Sequence, residues 1–517
     1  MRARWPSLAL LLTLAAPLAA APAPELYREH CAACHGEDRL GRMGPALLPE
    51  SLSRLRPPAL EAVIRDGRPA TQMPGFADRL GAAEITALAE FVRTPLTETP
   101  RWGAEEIEAS RVVLVPPEAL PERPQWPADP LNLFVVVEAG DHHVTILDGD
   151  RFEPLARFAT HFALHGGPKF SPDGRFVHLM SRDGWVTRYD LWSLQPVAEV
   201  RAGLNSRNIA IADDGRVIAV ANYLPHSLVI LDAATLAPLE VKTVDDPFHK
   251  QTSRVSAVYQ AAPRQSFILA LKDLPEIWEV SYAPEPPAIF SGLVHNYEVG
   301  LVEGLAEAGP FPVRRIPLAA PLDDFFFDPS YSNLIGSSRD AGKGVVVNLD
   351  VRREIAELPL PGLPHLGSGI AFTWEGRDVL ATPHLGEAAL SVIDLKSWQV
   401  VKRIDTLGPG FFMRGHEASP YAWIDVSLGA DKDKLQILDT RTLEMVATLQ
   451  PAPGKTTGHV ELTRDGRFAL VSVSEMDGEL VVYDAASFAV VKRLPMVKPV
   501  GKYNVGNKIG RSPGTSH

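Results

Sequence analysis

Residues Cys31, Ala32, Ala33, Cys34 and His35 place two thiols two residues apart with a histidine directly after them. Thiols at that spacing add across the two vinyl groups of a haem as thioethers, and the adjacent imidazole becomes an axial ligand of the iron. The competing chemistries lack parts. A structural zinc site needs four ligands, and the chain has no cysteine besides these two. A redox dithiol belongs beside a βαβ pattern, which the surrounding sequence does not show. Downstream, Met73 in Q-M-P-G-F fits a loop methionine that closes the sixth iron position, with Met43 as its rival. Thioether ligation of that kind raises the potential and keeps the iron an electron carrier.

A second constellation lies further along. His165 in A-L-H-G-G-P-K, His384 in A-T-P-H-L-G-E and His416 in M-R-G-H-E all occupy strand-to-loop positions. One early and two late histidines can reach a central channel from opposite sides. A haem lying across such a channel requires that arrangement, one proximal ligand and two distal groups. Arg207 in L-N-S-R-N and Arg254 in T-S-R-V-S suit the carboxylate-bearing edges of such a ligand, because a guanidinium grips a carboxylate with two prongs.

The elements that must position these residues follow from periodicity. Residues 22–97 predict a small all-α cytochrome c domain, in which Ile85, Leu88, Ala89 and Val92 recur at helical spacing and give one apolar face. Residues 98–130, rich in proline, predict a semi-rigid linker. From residue 131 to 517 the chain repeats itself. Apolar strands end at Asp148, Asp190, Asp232, Glu279, Asp350, Asp394, Asp439 and Asp484, mostly at intervals of 42 to 47 residues. That is the length of a four-stranded propeller blade, and eight marks predict an all-β eight-bladed propeller. The longer step after Glu279 predicts a loop insertion in the fifth unit. D-G-R turns at Gly174, Gly215 and Gly466 recur in phase.

Composition bounds the partners. Arg2 and Arg4 precede an apolar run over residues 8–18 and small residues at 19–23, so residues 1–21 predict a secretory signal too short for a membrane span. Together with haem attachment outside the cytoplasm, this predicts the periplasm. A formal charge of −12 with no concentrated basic surface excludes nucleic acid as a partner.

The whole pattern resembles the cytochrome cd1 group, in which a cytochrome c domain precedes an eight-bladed propeller that holds haem d1. The segment F-A-L-H-G-G-P-K-F-S-P-D-G-R-F resembles the one bearing the proximal d1 ligand, which implies His165 as iron ligand and Lys169 as a cofactor contact. A-T-P-H-L-G-E and M-R-G-H-E resemble the segments of the distal histidines, and Arg207 and Arg254 fall where the group binds the acidic edges of d1. The ending G-K-Y-N-V-G-N-K resembles its closing strand. Two activities share this domain order, reduction of nitrite to nitric oxide and oxidation of dihydro-haem d1 to haem d1. The short stretch before Cys31 and the M-R-G-H-E context, which replaces the lysine-threonine-histidine-proline common in the reductases, favour the second. The resemblance then implies a covalent haem c, dihydro-haem d1 as substrate, His416 as base and His384 as its assistant. It also implies an external periplasmic electron acceptor and a nitrite reductase that receives the product. A carrier of haem d1 without turnover is the remaining alternative.

Overall fold

The computed structural model describes residues 22–510 apart from 43, 53–54, 68–72, 99, 162, 165–166, 287, 292–304, 307–308 and 338–341. The expected leader, Met43 and His165 therefore lie outside the described residues.

The first domain gathers its helices around one apolar cluster. Pro57 opens the helix Pro57–Asp66, where its fixed φ is already helical and its missing N–H costs nothing, and Gly67 closes it with φ +73°. The helix Ala82–Val92 begins with the Glu84 carboxylate accepting the Gly81 backbone N–H at 2.9 Å. Its Ile85, Leu88, Ala89 and Val92 are buried against Leu26 and Tyr27 of the helix Ala23–His30. Those four are the residues whose spacing predicted an apolar face.

The rest of the chain forms eight four-stranded antiparallel blades among the described residues, one of them widened by an added strand. The ring closes by joining the two ends of the propeller sequence in one blade. Pro499–Asn504 forms its innermost strand and pairs with Leu133–Glu138, setting Phe134 opposite Asn504 and Val135 opposite Tyr503. In every other blade the first strand in sequence is innermost, so the channel is walled by strand starts from eight places.

The repeating acidic marks have a structural cause. They end the third strand of each blade, where the side chain accepts backbone N–H groups of the following turn, an Asx turn that reverses the chain into the outer strand. Asp148 holds Asp150 and Arg151 in this way, Asp232 holds Ala234 and Thr235, and Asp484 holds Ala486 and Ser487. Two marks do something else. In the blade around Asp350 the turn is held by Asn348, while Asp350 pairs with Arg264. Glu279 pairs with Arg264 and Arg314. Because each mark precedes its own blade's fourth strand, the insertion after Glu279 belongs to the fourth blade rather than the fifth. It separates the strand Glu276–Ser281 from its partner Val313–Pro317.

The segment between the domains is docked instead of spanning free solvent. It folds a helix, Ala104–Ser110, whose Ile107 is fully buried in the core of the second and third blades. Its strand Val112–Val113 pairs with the outer strand Gln195–Arg201. Ile107→Ala is expected to cost about 2–5 kcal/mol by leaving a cavity there. Denaturant unfolding would measure the loss, and protease sensitivity of residues 98–130 would locate it.

Candidate functional site

At the c-haem attachment site, Cys31 caps the short helix Ala32–His35 that carries Cys34 and His35. His35 is buried, and its Nδ1–H donates to the Pro45 carbonyl at 2.7 Å, so the unprotonated Nε2 is left for iron. Burial also holds its pKa below the ordinary value, keeping it neutral and ligand-ready. Met73 packs with Cys31 on the same apolar cluster. These donors fit a covalent haem. The fit is tight at Gly44, where a Cβ would come within 2.7 Å of the His35 ring. Gly44→Ala is therefore expected to push the imidazole off axis, read as altered c-haem absorption bands and a shifted potential.

The second site is a cavity of about 420 Å³ at the channel end where the innermost strands start. Arg182, Arg207, Tyr223, Tyr259, Asp323, Asp324, His365, Phe411, Phe412, His459 and Tyr503 line it, and Gly167 and Pro168 bring the chain just after His165 to the same wall. Arg207, expected to meet an acidic ligand edge, lines the cavity. Arg254 lies outside the lining, in a two-pronged pair with Asp273 and with its guanidinium 5.5 Å from the centre of the Tyr223 ring. Lys169 lines a smaller void below the cavity.

The two histidines expected as distal groups do not reach the cavity. His384 is fully buried beside it, but Nδ1 is 2.5 Å from the Pro361 carbonyl and Nε2 2.8 Å from Ser391 Oγ, so neither nitrogen is free to meet a ligand. His416 ends the inner strand Met413–His416, four residues beyond Phe412 and hence roughly 13 Å down the channel wall. It accepts the Ala418 N–H and packs on the turn at Gly466 that follows the innermost strand Thr457–Leu462 of the next blade. The histidines that line the cavity instead are His365 and His459. The signal for His365 was present in duplicate. P-H-L-G occurs at 364–367 and again at 383–386; a bridge between Pro364 and His384 sets the two copies side by side, and the first copy's histidine lines the cavity.

The two lining imidazoles are held in opposite tautomers. His365 Nδ1 lies 2.7 Å from the Phe411 carbonyl, which only a donor satisfies, so Nδ1 carries a proton and in the neutral ring Nε2 holds the lone pair. That Nε2 is 3.9 Å from Asp324 Oδ2, a carboxylate already fixed by the Tyr259 hydroxyl at 2.8 Å and the Gly367 N–H at 3.0 Å. His459 Nδ1 instead accepts a long, 3.5 Å contact from the Lys502 N–H, which leaves its Nε2–H as a donor. Burial, reinforced by Lys502 and Lys508, keeps it neutral. The buried Asp425 carboxylate accepts the backbone N–H groups of Phe411, Phe412 and His459, fixing the wall that carries both aromatic rings.

The c-haem domain packs at the rim of this cavity. Its Ala46 and Leu48 bury against Leu204 and Leu224, next to the lining residue Tyr223. The buried Arg201 ties the Leu40 carbonyl of the first domain at 2.6 Å to the Asp183 carbonyl of the propeller at 2.8 Å.

Sequence comparison agrees with both halves. The Cytochrome D1 heme domain model matches residues 128–508, and that of cytochrome C oxidase, cbb3-type, subunit III matches residues 19–92. The chain is 55% identical to the dihydro-heme d1 dehydrogenase of Pseudomonas aeruginosa over 99% of both chains. Against the nitrite reductase of Stutzerimonas stutzeri it is 24% identical over 96% of both. A solved structure of dihydro-heme d1 dehydrogenase NirN in complex with DHE superposes with a TM-score of 0.86 at 56% identity, covering 95% of this chain and all of that one.

Proposed function

The chain belongs to the cytochrome D1 heme domain family, and from that premise we propose that it is a dihydro-haem d1 dehydrogenase acting in the last step of haem d1 biosynthesis. The full-length identity to a dehydrogenase of that name carries the reading, since the nitrite reductase aligns over a similar extent at less than half the identity.

The reaction converts a propionate side chain, –CH2–CH2–COO⁻, to an acrylate, –CH=CH–COO⁻, with loss of two protons and two electrons. His365 supplies the base. Its Nε2 lone pair takes a proton from the side chain, and Asp324, 3.9 Å away, stabilises the imidazolium that results. His459 presents Nε2–H as a hydrogen-bond donor to the tetrapyrrole, Arg207 meets an acidic edge, and His165 is the iron ligand. Acceptance of electrons one at a time is the chemistry that a c haem held by Cys31, Cys34, His35 and Met73 supplies. The compartment is the periplasm, reached through the leader at residues 1–21. A periplasmic carrier removes the electrons, and nitrite reductase receives the haem d1. Among the described residues no helix is long and apolar enough to cross a membrane.

The test adds dihydro-haem d1 anaerobically to the protein carrying its c haem. Loss of two hydrogens in the extracted tetrapyrrole with reduction of the c haem supports the dehydrogenase. An unchanged tetrapyrrole, with nitrite consumed once haem d1 and a reductant are supplied, overturns it.

A further inference from the structure

Below the substrate cavity the channel continues and becomes charged. A void of about 30 Å³ shares Phe412 and His459 with the cavity and is lined in addition by Arg414, Glu461 and Lys508. A further void of about 160 Å³ shares Lys508 with it and opens among Pro172 and Asp213, in the turns that follow the innermost strands. Those turns lie at the end of the propeller opposite the c-haem domain. The small void has room for a water, which needs about 10–15 Å³ and two to four polar partners.

The charged groups there are tightly arranged. Glu461, 1% exposed, accepts Arg414 Nε and Asn507 Nδ2, each at 3.1 Å, and lies 3.7 Å from Lys508 Nζ. Lys502 is fully buried and donates to the His459 carbonyl and to Ser472 Oγ. Burial drives Lys502 and Lys508 down to about 7, so each amine can take and release a proton near neutrality. The groups around Lys508 are Glu461, Arg414, Lys169, His459 and Tyr503, drawn from four blades. A buried ion cluster is seldom worth more to stability than packed apolar side chains, so its position under the cavity calls for another reason.

That reason is the proton balance of the dehydrogenation, on which this inference rests. Each substrate releases two protons into the cavity, and the base cannot act again until they leave. We propose that they leave through the floor, past His459 to the Glu461 carboxylate, then to the Lys508 amine, and out along the channel to the propeller face opposite the c-haem domain. Each group returns to its starting state, and no further reactant is needed.

Lys508→Met removes the relay amine while leaving Glu461 paired with Arg414, and Glu461→Gln keeps the side-chain volume; either variant, once folded with its c haem, serves. Turnover of dihydro-haem d1 is expected to fall about tenfold, with a larger solvent deuterium isotope effect, an unchanged tetrapyrrole-binding spectrum, and recovery on adding imidazole or methylamine as a diffusible proton carrier. Wild-type turnover and isotope effect in both variants would overturn the exit route. So would slow turnover that added imidazole leaves slow. Wild-type protein that leaves the tetrapyrrole unchanged would instead overturn the dehydrogenase reading itself.

Discussion

Replacing His365 with glutamine is expected to lower turnover of dihydro-haem d1 by a factor on the order of 10² to 10⁴ while the tetrapyrrole still binds. The expectation follows from the proton count on the ring. With Nδ1–H committed to the Phe411 carbonyl, Nε2 is the one nitrogen of His365 able to take a substrate proton, and Asp324 stands ready to stabilise the charge that forms. Glutamine can keep a hydrogen bond to the Phe411 carbonyl but has no basic nitrogen. Binding persists because many residues besides His365 line the cavity, Arg207 and the aromatic wall among them. Single-turnover mixing with mass analysis of the extracted tetrapyrrole separates the two steps. The controls are equally specific. His416→Ala is expected to turn over at the wild-type rate, because its ring lies at the far end of an inner strand. His384→Ala is expected to act through stability, since both its nitrogens serve the blade.

Why sequence reading chose His384 and His416 is a matter of side-chain direction. Along a strand the direction reverses at each residue, and along the channel wall each residue moves the side chain about 3.3 Å. A strand-to-loop motif therefore locates a histidine to within a few residues, which is too coarse to decide whether it faces a ligand, a blade core or the opposite mouth. The duplicated P-H-L-G shows the limit sharply: two identical tetrapeptides bridged side by side, with one imidazole in the cavity and the other sealed in a blade. His459 offered less still, because its place in the cavity depends on Asp425 and Lys502 from other strands.

The fold was more legible where chemistry is local. Thioether attachment demands contiguous residues, so C-x-x-C-H declares itself, and an Asx turn needs its aspartate at one fixed offset from a strand end. Those turns made the blade count readable. They also misplaced the insertion by one blade, because the marks sit on third strands and the fourth strand of each blade follows its mark. The docked segment 98–130 escaped because proline content reports stiffness and says nothing of what Ile107 packs against.

The second large effect expected is loss of stability in mild acid. His178 is buried in the second blade, with Nε2 3.1 Å from the Ala233 carbonyl, and burial together with Arg188 lowers its pKa to about 4. A histidine whose folded pKa lies below its unfolded value near 6.5 binds a proton more readily once unfolded. Its contribution is therefore full above about pH 6.5 and is lost as pH falls toward 4, amounting to roughly 3 kcal/mol at the lower end. His459 and His384, also lowered chiefly by burial, act in the same direction. Asp183 and Asp425 act the other way: burial raises their carboxyls, so their contribution is full in acid and lost as pH rises through the folded values. His178→Gln isolates the histidine. Denaturant unfolding of the wild type between pH 7 and 4 should show stability falling with pH, and the variant should show a slope shallower by about the His178 share. Equal slopes in the two proteins would mean that His178 titrates in the folded blade as it does in the unfolded chain, which its burial beside Arg188 argues against.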